Sequence, residues 1–365
     1  MFVVFVSQIA RELAAHVWAR GMLDFVVLFG LVWVAWFNGT EFHELHGRED
    51  GRGRTFIFLQ MGILAVVAVY APGATGTDGD SFAWAYAVLL AVQAYQWWSV
   101  LRIDEERYRP VAVRYLVAMC AGIALIVVSA FVGSDDLRLA LWGLFVAGAI
   151  GLGLVQSLVT RLSDFGLVVT ASMVERFGLF VIIVLGEVVV GVVYGMSHAT
   201  RDARTIATGV LCLGIGFGFW WTYFDFVGER LPRTSPGAVS AWLFSHLPTT
   251  LAIAAAGAGM ASLVEHAHDG RTPTASSWLI ASAVAGLLVS LLMAMRSLTD
   301  HERLAQVYRP LTPALLIAAC AALVLGALRP APWLLALGLV ALLSATWWVA
   351  FLRLLGGASP RANDA

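Results

Sequence analysis

Lysine does not occur in this 365-residue sequence, and charge of either sign is scarce. All 23 basic residues are arginine. Arginine suits bidentate phosphate recognition, but a complete lack of lysine is read more simply as a codon-composition bias. Charged residues make up 13% of the chain, against about 25% in an ordinary soluble domain. With a net charge of −1 there is no basic field to recruit nucleic acid. There are three cysteines, Cys120, Cys212 and Cys320, each inside an apolar run and without CxxC or Cys/His spacing. They read as small core residues, which excludes a disulfide framework and a zinc site. The sequence also lacks a Gly-rich phosphate loop, a nucleophile elbow and paired haem-ligand histidines. No catalytic residue and no cofactor is therefore assigned.

What fills the chain is apolar: 60% hydrophobic residues and a mean hydropathy of +0.81. Apolar windows near the length that spans a bilayer recur from end to end, with no polar stretch between them long enough for a soluble domain. They fall at 22–42, 55–71, 82–101, 112–132, 137–158, 174–197, 204–227, 240–264, 276–296, 308–328 and 331–353. A further segment, Met1 to Trp18, carries Arg11, Glu12 and His16. As a helix it would reach roughly 27 Å, just short of the hydrocarbon thickness, and it lacks the basic start and small-residue cleavage site of a signal peptide. It reads as a twelfth, shortened membrane helix. The expected fold is an all-α polytopic membrane protein of about twelve transmembrane helices. Arginines gather in loops 43–54, 102–111 and 228–239 and thin out in loops 72–81 and 265–275, which places both termini in the cytoplasm by the positive-inside rule. Most of the fourteen tryptophans, such as Trp97, Trp98, Trp220, Trp221, Trp347 and Trp348, sit near helix ends and read as interface anchors.

The two halves share punctuation. Gln8 aligns with Glu187, Trp36-Phe-Asn38 with Tyr223-Phe-Asp225, Phe58-Leu-Gln60 with Phe244-Ser-His246, and Tyr108-Arg109-Pro110 with Tyr308-Arg309-Pro310, at offsets of 179 to 200 residues. Matches in one order imply two parallel six-helix repeats entering the membrane from the same side. The expected boundaries are a first repeat over 1–158, a cytoplasmic linker over 159–173, a second repeat over 174–353 and a disordered tail over 354–365.

Four stretches, VERFGLFVIIVLGE (174–187), FNGTEFHELHGRED (37–50), QWWSVLR followed by YRP (96–110) and WLFSHLPTTLAIAA (242–255), resemble the bacterial low temperature requirement A (LtrA) family over nearly the whole chain. The resemblance implies a polytopic protein of the bacterial cytoplasmic membrane whose biochemical activity is not established. Members carry an E-L-F-F-D-L-like segment upstream of what is here Met1, and this sequence does not. Either the start is misplaced or this member has lost an acidic pair. That family segment is similar to the first-helix motif of two-repeat lysosomal potassium channels, so the resemblance implies ion conduction as an option.

The candidate site residues are the polar groups at membrane depth. Glu187 lies about 20 Å along its helix, near the bilayer middle, where an ionised carboxylate is costly unless paired or hydrated. Hydrogen-bonded glue between helices is the plain alternative. Glu175, in Ser172-Met-Val-Glu175, fits a capping box. Asn38, Gln60, Asp225 and His246 fall four to six residues from the cytoplasmic ends of their expected helices, where a shared vestibule could reach them, and His246 precedes Pro248, which should kink its helix. Gly214 and Gly218 read as a close-packing pair. His43-Glu44-Leu45-His46 is HExH and not the HExxH of zinc enzymes, and it and His266 and His268 read as solvated loop histidines, so no metal is expected. Three function classes follow: a proton-linked transporter or channel using Glu187 with Asp225, His246, Asn38, Gln60 and Gln8; a scaffold, which has no need of Glu187; and a membrane-embedded enzyme, which lacks a nucleophile. The expected partners are membrane lipids and an ion or small polar solute, with a homodimer left open and nucleic acid excluded.

Overall fold

The computed structural model describes residues 1–47, 50–101, 106, 109–159 and 169–357. Within them lie twelve helices and one isolated bridge. The chain divides into two compact units, Met1–Val168 and Val169–Ala365. Unit 1 holds α1 (Phe2–Ala15), α2 (Ala19–His46), α3 (Gly51–Tyr70), α4 (Gly79–Val100), α5 (Arg109–Ala130) and α6 (Asp135–Val159). Unit 2 holds α7 (Ala171–His198), α8 (Ala203–Phe226), α9 (Pro236–Glu265), α10 (Thr274–Ser297), α11 (Ala305–Leu328) and α12 (Pro332–Gly357). Ten of these are long and apolar enough to cross a membrane. The other two are α1, whose 14 residues reach only about 21 Å, and α4, whose length suffices at 22 residues but whose Tyr86, Gln93, Tyr95 and Gln96 dilute its apolar run. Arg48, Arg102, Arg107, Tyr108, Arg161 and Arg361, which carried part of the orientation and repeat readings, lie outside the described residues, as do 160–168 of the expected linker and 358–365 of the expected tail.

Local chemistry sets the helix starts. Asp50 caps α3 by accepting the Gly53 backbone N–H at 2.8 Å, Asp202 caps α8 by accepting from Thr205 at 2.9 Å, and Pro236 opens α9 where its missing N–H costs nothing. The α7 cap corrects the expectation from sequence. Thr170, not Ser172, takes the Met173 N–H at 3.1 Å, so α7 starts earlier and Glu175 is an exposed residue on its second turn rather than a capping-box partner.

In unit 1, α1 packs on α2 and α3, α2 on α4 and α6, α3 on α4, α4 on α5, and α5 on α6. In unit 2, α7 packs on α8 and α9, α8 on α10 and α12, α9 on α10, α10 on α11, and α11 on α12, with α8 also against α9 and α12 also touching α9 and α10. The core of unit 2 is α9, whose buried face includes a run of small residues from Ala254 to Gly259. Gly214 and Gly218 on α8 lie against Val340 and Leu343 of α12. Cys212 is buried, but Cys120 and Cys320 are exposed on the outside of their units, which corrects their reading as core residues. Trp33, Trp97, Trp142 and Trp242 are fully buried, so these four are core side chains rather than interface anchors.

Candidate functional site

Glu187 is 2% exposed, in the interior of unit 2. It shares one face of α7 with Gly191 and Gly195, at i+4 and i+8. That face is a seam with α9: a Cβ at Gly191 would come within 3.0 Å of the Gly257 carbonyl, and one at Gly195 within 2.9 Å of the Ala261 carbonyl. From the other side, Gly257 lies against the backbone of Glu187 and Val188. The two backbones touch here because neither helix places a side chain between them, and the carboxyl enters the protein at the end of that contact.

His246 lies on the same α7–α9 interface, eleven residues before Gly257 and hence about 16 Å away along α9. It is 1% exposed and caged by aromatic rings, Phe177 at 4.7 Å and Trp242 at 4.6 Å between centroids. Its Nδ1 lies 2.6 Å from the Trp242 carbonyl and its Nε2 3.0 Å from the Tyr223 hydroxyl. A carbonyl only accepts, so Nδ1 carries the proton, and in the neutral ring Nε2 accepts from Tyr223. Pro248 does not break α9, whose 30 residues run through it from Pro236 to Glu265. Around it Thr250 donates to the His246 carbonyl at 2.7 Å and Thr249 to the Ser245 carbonyl at 2.8 Å.

Asp225 is elsewhere. It sits one residue from the end of α8, exposed, and lines clefts of about 230 and 540 Å³ that also take in Arg230. Its Oδ2 accepts from Trp347 Nε1 on α12 at 2.8 Å. Arg230 donates to the Asp225 carbonyl and pairs with Asp300 at 2.5 Å. The loop between α8 and α9 is clasped to the one between α10 and α11 through the Pro232–Leu298 bridge and the Arg233 N–H to the Ser297 carbonyl. Unit 2 thus brings Glu187 and His246 onto one interface but leaves Asp225 outside it. The expected vestibule shared by Asn38, Gln60, Asp225 and His246 is corrected at Asp225, which falls in the last turn of α8, where its side chain turns to α12. Counted from the helix ends, Asn38, Gln60 and His246 lie eight to ten residues deep, because α2, α3 and α9 extend beyond their apolar windows.

In unit 1, Gln8 is half-buried on α1. Asn38 and Gln60 belong to a polar arrangement centred on α4 that the sequence reading missed. Tyr86, Leu90, Gln93 and Trp97 form one buried stripe, and its three polar members donate to successive turns of α2: Tyr86 Oη to the Leu31 carbonyl at 2.9 Å, Gln93 Nε2 to the Ala35 carbonyl at 2.9 Å, and Trp97 Nε1 to Asn38 Oδ1 at 3.3 Å. Gln60 Nε2 donates to Gln96 Oε1 at 2.6 Å. Trp97 stacks on Tyr115 with centroids 4.4 Å apart, and the Tyr115 hydroxyl donates to the Glu41 carboxylate. The available signal was the i, i+4, i+7, i+11 spacing of that stripe.

The loop histidines are tied down. His46 packs edge-on to Trp97, His266 Nδ1 folds back to the Ser262 carbonyl at 2.8 Å, and His268 pairs with Asp202 at 2.7 Å. The backbone N–H of Thr205 holds the Asp202 carboxyl below the usual carboxylate range.

Searches of the curated proteins and of the solved structures find no match to the chain. The family model described as bacterial low temperature requirement A protein (LtrA) matches residues 1–351. With its apolar helices and its match from the first residue to the last helix, the chain belongs to the LtrA family of bacterial membrane proteins.

Proposed function

We propose that this protein is a proton-linked transporter or ion channel of the bacterial cytoplasmic membrane, with both termini cytoplasmic and Glu187 as the group that gains and loses the proton. The observation that carries this reading is a carboxyl buried to 2% exposure in the middle of a 28-residue membrane helix. Ionisable groups at such a place default to function, because keeping one costs several kcal/mol that an amide or apolar residue would not. The glycine seam beside it supports the reading, since two backbones in contact can shift as a pair without repacking large side chains. We also propose that the two units are parallel repeats. Shifted by six helices, each packed pair named for unit 1 has its counterpart in unit 2.

Purified protein in proteoliposomes, assayed for pH and cation flux, tests the function. Glu187→Gln should fold and insert but lose pH-dependent flux. If flux per folded molecule is unchanged, Glu187 is interhelical glue and a scaffold becomes the better reading.

A further inference from the structure

We propose that unit 1 holds a binding site for a small monovalent cation among the carboxamides of α2, α3 and α4, with Gln93 Oε1 as its central ligand. Gln93 is 2% exposed. Its Nε2 is fixed by donation to the Ala35 carbonyl at 2.9 Å, and because that carbonyl can only accept, the amide cannot be turned the other way. Oε1 is therefore a true acceptor, and it has no hydrogen-bond partner among the described residues. A buried acceptor is costly to leave bare, so this one calls for a donor or a positive charge.

The surroundings have room for one. Gly39 on α2 lies beside the nitrogen end of this carboxamide, where a Cβ would come 3.8 Å from Gln93 Nε2 and 3.9 Å from Gln60 Oε1. Glycine thus keeps open the space between two carboxamides. Next to it on α2, Asn38 Oδ1 takes a long 3.3 Å bond from Trp97 among the described residues. One turn on from Asn38, the Glu41 carboxyl group adds further oxygens at the edge, held by Tyr115. A cleft of about 90 Å³ at the helix ends, lined by Phe42, His46, Asp50, Arg52, Phe56 and Gln96, adjoins this group through Gln96, the partner of Gln60.

The chemistry of the oxygens selects the class. An anion would face carbonyl oxygens of its own polarity, and calcium or magnesium draws on several carboxylates. Neutral amide oxygens with a single carboxyl group nearby match a sodium, potassium or ammonium ion, whose hydration shell carbonyl-type oxygens can replace. The site is on different helices from Glu187 and does not rest on the proton reading.

The test is the thermal midpoint of the purified full chain in detergent as choline chloride is replaced by sodium, potassium or ammonium chloride at constant ionic strength. The expected result is a saturable rise with at least one small cation. Its half-saturation should weaken about tenfold or more in Gln93→Leu, the scale of one lost bond to a charged group. Gly39→Ala should do the same: its methyl meets its neighbours at ordinary contact distance, so the fold tolerates it while the space closes. Glu187→Gln should keep the rise. Equal midpoints in choline and every small cation would overturn the proposal and leave Gln93 holding a water. So would a cation effect that survives both the Gln93 and Gly39 variants.

Discussion

The two units share an adjacency of helices but are wired differently. In unit 1, a phenol hydroxyl, a carboxamide and an indole N–H on α4 reach across to α2, at Leu31, Ala35 and Asn38. In unit 2, α10, which stands six helices on from α4, offers small hydroxyls instead, and they go to α9, the counterpart of α3: Ser290 to Thr249 at 2.7 Å and Ser276 to Ser262 at 2.7 Å. The same contrast runs through burial: 83% of the apolar window of α9 is buried, against 17% for α3. Where helices meet backbone to backbone, only small side chains fit and a short hydroxyl suffices. Where they stand further apart, the gap is bridged by glutamine, tryptophan and tyrosine, and such gaps can hold a guest. Unit 2 is thus the tightly packed body, and unit 1 the looser and more polar one.

The largest test of this contrast is packing. Gly195→Leu should destabilise by about 3 kcal/mol or prevent folding, because even a Cβ there meets the Ala261 backbone carbonyl at 2.9 Å and overpacking typically costs 1–3 kcal/mol before the rest of the side chain is placed. Gly62→Leu on α3, where nothing lies within 4 Å, should change the thermal midpoint in detergent little. Similar losses for both would erase the distinction between the units.

A smaller effect should come from the polar wiring. His246→Leu strips the partner from the Tyr223 hydroxyl in a closed cage, while the Trp242 carbonyl keeps the Ser245 hydroxyl, and should cost about 1–2 kcal/mol. Gln60→Leu breaks one half-buried bond to Gln96 and should cost about 0.6 kcal/mol, the average for interhelical bonds in membranes. Chemical denaturation of the two variants in mixed micelles would sharpen or reverse the ranking.

The helices were legible because bilayer thickness imposes a length that apolar runs must meet. The window at 204–227 became Ala203–Phe226, with one residue in error at each end. Errors came where short-range chemistry competes: Thr170 and Ser172 are two hydroxyls two residues apart, and no spacing rule ranks them as caps. The burial of Glu187 was legible for the same reason as the helices, since a lone carboxyl in an apolar run has few places to go. Gln93, Gln96, Glu41 and Tyr115 were missed because glutamines in a tyrosine- and tryptophan-rich helix look like dilution of the apolar run until their common face is counted. That Asp225 turns to Trp347, 122 residues later, depends on tertiary contact alone.

The smallest effect should be the acid dependence of α8 capping. Asp202 has its folded pKa lowered, chiefly by the Thr205 N–H, with His268 adding to it. A lowered folded value means stability that is present above the unfolded carboxylate range and lost as pH falls through the folded value. Asp202→Asn should therefore flatten the fall of the thermal midpoint on the acid side and leave neutral-pH behaviour nearly unchanged. An acid limb as steep as that of the parent would remove Asp202 from it.

The seam between α7 and α9 also sets an order of assembly. Glu187 and Gly257 are 70 residues apart in the chain, with all of α8 between them. At about 5–20 residues per second, the ribosome adds Glu187 on the order of 4–14 seconds before Gly257. During that interval the carboxyl has left the ribosome without the helix that will enclose it, so it must wait in the insertion machinery, in lipid or against a helix it will later leave. A protein that keeps Glu187 accepts this exposed interval in every molecule synthesised, and a chaperone or insertase that shields α7 until α9 emerges would raise its yield.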